Sequence, residues 1–305
     1  MLRNSAKIFL TFIPALIIIA SFVIFLLFLK VYQLSRRGRR TPLTRELLRS
    51  PGESLRNQIE DLSIDFDSYL MMLFISPLII YSSFLSQKES NTNISVLLLA
   101  IVSLVFFTFF IYKLWRLLKQ RANLRLGLDC EMAVGQELNQ LMLEGYRVYH
   151  DFPVEEFNKK FNIDHIVVSP KGVFAIETKG RAKFNKSLSN TEAKVIYDGQ
   201  TLKFPNWTET KPLEQALQNA NWLSKWLSSS VGEKVDVYPV VALPGWWVER
   251  EGTGDVYVFN PRNPQPFFRT KGNSSIPENL IDRIAHQLDQ KCRDVEPTAY
   301  KKDKK

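Results

Sequence analysis

Hydrophobic residues are arranged on two scales along this chain. Up to residue 112 they come in long blocks, and beyond residue 127 they recur with the short periods of helices and strands. The first block, Ile8 to Leu29, holds 22 uncharged residues between Lys7 and Lys30. At about 1.5 Å of rise per residue, a helix of that length crosses a hydrocarbon layer of about 30 Å, and Pro14 near its start is tolerated there. A cleaved signal peptide is the rival reading. Its apolar region is usually shorter, however, and a basic cluster directly after it is the wrong flank. Ser68 to Gln87 and Ile94 to Tyr112 are likewise uncharged and predict a helical hairpin in the membrane, with a buried soluble hairpin as the alternative. Between the first and second blocks, Ser50 to Asp67 is polar and acidic, which predicts a solvated connector with room for a short helix.

After Gly127 the periods shorten. Asp129 to Glu144 fits an amphipathic helix with Val134, Leu138, Leu141 and Met142 in one stripe, and Glu131 falls in the middle of that stripe. Pro212 to Leu227 fits a second, with Leu213, Ala216, Leu217, Ala220 and Leu223 on one face. Trp222 and Trp226 are neighbours on that helix, and core packing explains them more simply than base stacking. Gly145 to Phe152 reads as a turn into a strand. Ala193 to Phe204 reads as a hairpin with the two-residue turn Asp198-Gly199. Val235 to Leu243 and Val256 to Phe259 read as further strands, and Trp246-Trp247 as the cover of a sheet edge with one ring exposed. Ser275-Ile-Pro-Glu278 has the form of a capping box before a last helix carrying Leu280, Ile284 and Leu288.

Residues 161 to 179 hold the candidate chemistry. Two β-branched and aromatic runs flank Ser-Pro-Lys-Gly, which predicts two strands and a tight turn. With the turn centred between Pro170 and Lys171, Asp164 lies opposite Glu177. Alternation puts Lys179 on the face of Glu177, and Ile166 and Val168 on the face of Asp164. Two carboxylates and an ammonium thus meet on an apolar sheet face. Buried carboxylates cost several kcal/mol unless compensated, and a divalent cation between them would compensate both. A plain salt-bridge cluster has the same spacing. His150 and His165 are expected in structural or substrate-side roles, because His165 points away from Asp164. Lys159 and Lys160 are placed in a loop, and the basic stretch Gly180 to Lys186 is either a phosphate-contacting loop or a simply exposed one.

Composition adds direction. The net charge of +9 suits nucleic acid or an anionic membrane surface, while two distant cysteines and three scattered histidines form no readable zinc site or disulfide framework. No internal repeat and no glycine-rich phosphate loop is present. Arg36, Arg37, Arg39, Arg40, Arg45 and Arg49 flank the first block, and Lys113, Arg116, Lys119, Arg121 and Arg125 follow the third, with no acid until Asp129. Both clusters are then cytoplasmic, which gives three spans with the N-terminus outside and everything after about residue 113 inside.

The pattern Ile-Asp-His-Ile-Val-Val, a short turn, then Gly-Val-Phe-Ala-Ile-Glu-Thr-Lys resembles the core of the nuclease-related domain (NERD) family, itself similar to the PD-(D/E)XK nucleases. Asp164, Glu177 and Lys179 fall on its Asp and Glu-x-Lys positions, and Gln215 resembles the glutamine that follows. Glu131 holds the acid of the opening Gly-x-x-Gly-Glu, although Cys130 stands where the second glycine is usual. The resemblance covers roughly residues 125 to 245. It implies an α/β restriction-endonuclease-like fold, a mixed sheet flanked by helices, here preceded by about three transmembrane helices. It also implies Mg²⁺ or Mn²⁺ on Asp164 and Glu177, oriented with help from Glu131. Lys179 would polarise water or stabilise the transition state, with DNA or RNA as substrate, and two copies can act together as a homo-oligomer. The expected organisation is an anchor (1–34), a basic-then-polar connector (35–67), a membrane hairpin (68–112), a basic juxtamembrane segment (113–126), the nuclease-related domain with its elaboration (127–292) and a basic, disordered tail (293–305). The setting is an inner (plasma) membrane of bacterial type, with the soluble domain in the cytoplasm. A catalytically silent nucleic-acid-binding or scaffolding module, or a domain used for protein contacts, is the alternative.

Overall fold

The computed structural model describes residues 42–90, 96–156, 159–183 and 193–297, with scattered positions from 17 to 31. Most of the first apolar block, the arginines from Arg36 to Arg40 and the end of the tail from Tyr300 lie outside the described residues. The chain divides into two compact units, one comprising Met1–Thr44, Glu60–Arg121 and Pro297–Lys305, the other Arg45–Ile59 and Ala122–Glu296.

Within the first unit run the apolar parts of two long helices, α1 (Glu53–Ser90) and α2 (Val96–Asn139). Two stretches, Glu53–Ser82 and Ala100–Glu144, are long and apolar enough to cross a membrane, by length and composition alone. Two such helices are therefore found among the described residues where three spans were expected. Phe74 and Leu104 expose 70% and 68% of their surface, so these helices do not bury their apolar faces as a soluble core would. Tyr69 and Phe110 meet edge to face at 5.8 Å.

Both helices are longer than expected. The stretch read as a connector is helical from Glu53, and α2 does not begin at Asp129 but runs unbroken from Val96. Residues 113–126 are almost all Leu, Lys, Arg, Gln and Ala, strong helix formers, so nothing there stops the helix. The helix then tightens into a 3-10 turn, Gln140–Glu144, and ends at Gly145, whose φ of 87° suits glycine.

The second unit is built on a mixed five-stranded sheet. Its strands are β1 (Arg147–Glu156), β2 (Lys159–Ser169), β3 (Gly172–Thr178), β7 (Val237–Ala242) and β9 (Tyr257–Phe259), in the order β1-β2-β3-β7-β9. The first three are antiparallel, and β7 and β9 continue parallel to β3. On one face, Ile166, Val168, Val173 and Ala175 pack against α3 (Lys211–Val231) and α5 (Glu278–Cys292) through Leu223, Leu227, Ile284 and Leu288. On the other, Val167, Phe174 and Ile176 meet Val134, Leu138 and Leu141 from the end of α2, and Phe268 of α4 (Gln265–Thr270). This is the expected mixed sheet with helices on both faces. A second sheet, ordered β6-β5-β4-β8, is made of β4 (Lys194–Tyr197), β5 (Leu202–Lys203), β6 (Thr208–Glu209) and β8 (Trp247–Arg250).

The β2–β3 register pairs His165 with Ile176 and Ser169 with Gly172, the predicted frame, which continued by one residue sets Asp164 opposite Glu177. Three local expectations change. Lys159 and Lys160 open β2 instead of lying in a loop, because they pair with Glu156 and Glu155 of β1. The β4–β5 turn takes four residues: Tyr197 pairs with Leu202, and the Asp198 carboxylate accepts the Gln200 and Thr201 N–H groups. Helix α5 starts after an extended Pro277 with no side-chain cap, so Ser275 and Glu278 form no capping box.

Candidate metal centre and cleft

The hairpin brings Asp164 and Glu177 together one step beyond His165↔Ile176, where the β2–β3 ladder ends. Between His150↔His165 and Phe152↔Ile163 the pair Asp151/Asp164 drops out of the β1–β2 ladder. Asp151 has φ of 49°, a left-handed backbone at a non-glycine residue. The side-chain alternation shifts there: Val148 packs with the α2 cluster, whereas Phe152 and Val154 pack with α3 and α5. Freed from the ladder, Asp164 turns its carboxylate to the next strand, where Oδ2 accepts the Thr178 N–H at 2.7 Å.

Glu177 is held on both oxygens. Lys179 Nζ donates to Oε1 at 2.5 Å and Asn219 Nδ2 of α3 donates to Oε2 at 2.9 Å. Asp164 and Glu177 line one cleft of about 670 Å³, together with Gln215, Gln218 and Asn219 on successive turns of α3. Glu131 comes from α2, on the other helical layer. It is buried, and its Oε2 has no hydrogen-bond partner. Neither Glu131 nor Lys179 lines the cleft; Glu131 meets the others through its field. Burial, then the charges of Asp151 and Glu177, push its pKa up to about 8 against the pull of Lys179. Burial also drives Asp164 well above the usual carboxylate range, aided by Glu177 and Glu131 and opposed by the Thr178 N–H and Lys179.

Behind these acids stands a second, satisfied carboxylate. Asp151 is fully buried, and its Oδ2 accepts Arg49 Nη1 at 2.6 Å and the N–H and hydroxyl of Ser54 at 3.0 and 2.7 Å. Its Oδ1 accepts Asn162 Nδ2 at 2.6 Å. The carboxylate thereby caps the N-terminus of α1, where a negative charge also meets the helix dipole favourably. Arg49 reaches on to Asp294, and Leu47 bridges to Val295, so residues 45–59 are tied to the rest of the second unit.

His150 and His165 join each other, not the acids. Their Nδ1 atoms are 2.9 Å apart, and His150 Nε2 lies 2.9 Å from Asn139 Oδ1. Burial lowers the pKa of His150 to about 4 and that of His165 well below the ordinary value. The basic stretch after Lys179 is also engaged: Arg181 makes a two-toothed pair with Glu209 at 2.8 and 2.7 Å. Residues 184–186, which complete it, lie outside the described residues. Trp246 is buried, with Nε1 donating to the Arg181 carbonyl at 3.1 Å, whereas Trp247 is 70% exposed.

Residues 126–244 match the nuclease-related domain, NERD. The match covers under half of the 305-residue chain and encloses Glu131, Asp164, Glu177, Lys179, Gln215 and Asn219. Arg49 and Ser54 precede it, and Asp294 follows it. No curated protein and no solved structure matches the chain. NERD supports a nuclease-related function for this segment.

The donor set around the cleft fits a hard divalent cation. Asp164 and Glu177 offer oxygen ligands in one recess, Glu131 Oε2 is without a partner, and Lys179 is the ammonium bonded to Glu177. Among the described residues no three His, Cys, Asp or Glu side chains stand close enough to share one ion. Two carboxylates suffice for an ion that keeps several of its waters, as Mg²⁺ does. Asn219, the residue missed from sequence, stands four positions after Gln215 and so on the same helix face. That spacing was the available signal. Asp151, Arg49 and Ser54 had none, since their partners are 97 to 102 residues apart.

Proposed function

We propose that this chain is a membrane-anchored, metal-dependent nuclease that cleaves phosphodiester bonds of DNA or RNA. The observation that carries the proposal is the pair Asp164 and Glu177, fixed by Thr178 and Asn219 at the wall of an open cleft inside the NERD-matching segment, with Lys179 bonded to Glu177 from behind that wall. Asp164 and Glu177 would hold Mg²⁺ or Mn²⁺, which when bound supplies Lewis acidity and a more acidic water. Asn219 orients Glu177, and the Thr178 N–H orients Asp164. Lys179, bonded to Glu177, would bring an ammonium to the negative charge that grows on a phosphoryl group, and such stabilisation is worth roughly 10²–10³ in rate. Glu131, behind the pair, keeps its proton up to about pH 8 and would add negative potential for a cation only once that proton is lost.

Membrane attachment rests on the two long apolar helices and on the end of the second. There Lys113, Arg116 and Lys119 lie 5.7, 5.9 and 5.7 Å from the ring centres of Phe109, Tyr112 and Trp115, an aromatic and basic collar of the kind found at a bilayer surface. Under this reading the collar faces the cytoplasm.

The test uses the full-length chain in detergent with plasmid, single-stranded DNA and RNA, each with Mg²⁺ or Mn²⁺. Metal-dependent cutting is expected, lost in Glu177→Ala and lowered roughly 10²–10³-fold in Lys179→Ala. Cutting that survives both changes would place the chemistry elsewhere. The second reading, a silent nucleic-acid-binding module, is favoured by the occupation of both Glu177 oxygens by protein donors. Salt-dependent binding without cleavage would support it.

A further inference from the structure

The cleft beside Glu177 has a lining unlike that of a duplex-binding surface. Proteins that grip double-stranded nucleic acid do so largely with rows of Lys and Arg on phosphates. Among the described residues that line it, one cation, Lys160, itself paired with Glu155, accompanies three carboxylates, Glu156, Asp164 and Glu177. The remaining walls are neutral. Gln215, Gln218 and Asn219 present amides from one face of α3, and Phe161 and Trp222 supply rings. Phe161 is 37% exposed and stands edge-on to Trp222, with ring centres 6.2 Å apart at 79°. Trp222 is in turn stacked on Trp226 at 6.1 Å and 9°, and that pair packs on Phe152 of the core. The exposed ring of Phe161 therefore rests on a rigid aromatic base and leaves its own surface to the recess.

A volume of about 670 Å³ lies within the range of small-molecule pockets, about 300–1,000 Å³, and suits one or two nucleotides better than a helix of two strands. Amide side chains donate and accept along base edges, and an exposed aromatic ring accepts any base face. We infer that this cleft is a nucleobase pocket which takes an unpaired nucleotide and so selects single-stranded DNA or RNA over duplex. Phe161 supplies the stacking surface, and Gln215 and Gln218 supply the base-edge contacts. The inference rests on the nuclease-related reading and names its substrate class. Because the pocket adds so little positive charge, the affinity it supplies depends only shallowly on salt.

Fluorescence anisotropy on the full-length chain in detergent decides this, with labelled single-stranded DNA, single-stranded RNA and a duplex of the same sequence. The measurement is made in EDTA and again in Ca²⁺, across a salt series. Single strands are expected to bind at least about 10-fold more tightly than duplex, with the two single-stranded arms showing whether sugar matters. Phe161→Ala is expected to weaken that binding roughly 10-fold, as loss of one stacked base does. Phe161→Leu keeps most of the packing volume and is expected to weaken it nearly as much at an unchanged Tm, which separates stacking from folding. The double change Gln215→Ala and Gln218→Ala weakens it further. Duplex binding as tight as single-strand binding, or indifference to both Phe161 changes, overturns the pocket and leaves a nucleic-acid function standing. Absence of binding to all three probes overturns that function as well.

Discussion

Two buried polar groups sit at neighbouring positions of β1 and β2 and have opposite fates. His150 and His165 point to one side and close on each other and on Asn139. Asp164 points the other way and shares its surroundings with Glu177 and Glu131. The histidine group is neutral, and its two inner bonds need no ion, although His165 Nε2 is buried without a partner. The acidic group holds three carboxylates against the single ammonium of Lys179, with one buried oxygen left bare. Low-dielectric surroundings make an unbalanced set of charges expensive, whereas a neutral pair with one bare nitrogen costs less. An imbalance kept beside an open cleft is the mark of a site that receives a ligand.

Removing the satisfied carboxylate's partner has the largest expected effect on stability. Arg49→Ala leaves Asp151 buried without its cation and should cost about 3 kcal/mol, the low end for breaking a buried pair because Arg49 keeps some solvent contact. Urea unfolding of the full-length chain measures it. A cost below about 0.5 kcal/mol, the level of an ordinary surface change, would mean that the strap from 45 to 59 does not hold the second unit together.

The two clusters should also bend the stability curve in opposite directions. Glu131 has its folded pKa raised to about 8, so the folded state keeps the proton that the unfolded state loses near its ordinary value of 4.5. Stability from this group therefore falls as pH rises from 4.5 to 8, by up to about 1.4 kcal/mol per pH unit. Glu131→Gln should flatten that slope and raise Tm at pH 8. His150 has its folded pKa lowered to about 4 from 6.5, so its contribution is full above 6.5 and is lost as pH falls towards 4. Glu131→Gln should leave that acid limb in place, and a variant that removed both limbs would contradict the separation of the clusters. The smaller expected effect belongs to the interval between 4.5 and 6.5, where the two slopes oppose each other.

Much of the domain could be read from the chain. The frame of the β2–β3 hairpin follows from alternation around Pro170 and Lys171, and the amphipathic stripes gave α3 and the end of α2. The acidic stripe position of Glu131 was visible because charge on an apolar face is conspicuous. Long-range capping was not visible. Asp151 caps α1 across 97 residues, and no local pattern encodes that. The serine signals misled in both directions. Ser275 forms no box, whereas Ser50, three residues before Glu53, bonds its carboxylate at the true start of α1. The left-handed backbone at Asp151 was equally hidden, since an aspartate within a β-branched run reads as ordinary strand. The helix start at Glu53 and the unbroken run from Tyr112 to Asp129 were missed because apolar blocks were separated from their charged neighbours, although the residues between are good helix formers.

The central claim is that the carboxylates at Asp164 and Glu177 are matched to a divalent cation. Thermal unfolding of the full-length chain during a Mn²⁺ titration tests it without any need for turnover. A ligand bound only by the folded state adds about 2.7 kcal/mol at 100 times its Kd, so Tm should climb with Mn²⁺ concentration. The same titration of the double variant Asp164→Asn, Glu177→Gln should be flat. A wild-type Tm that ignores Mn²⁺, or a variant that responds equally, would contradict the account.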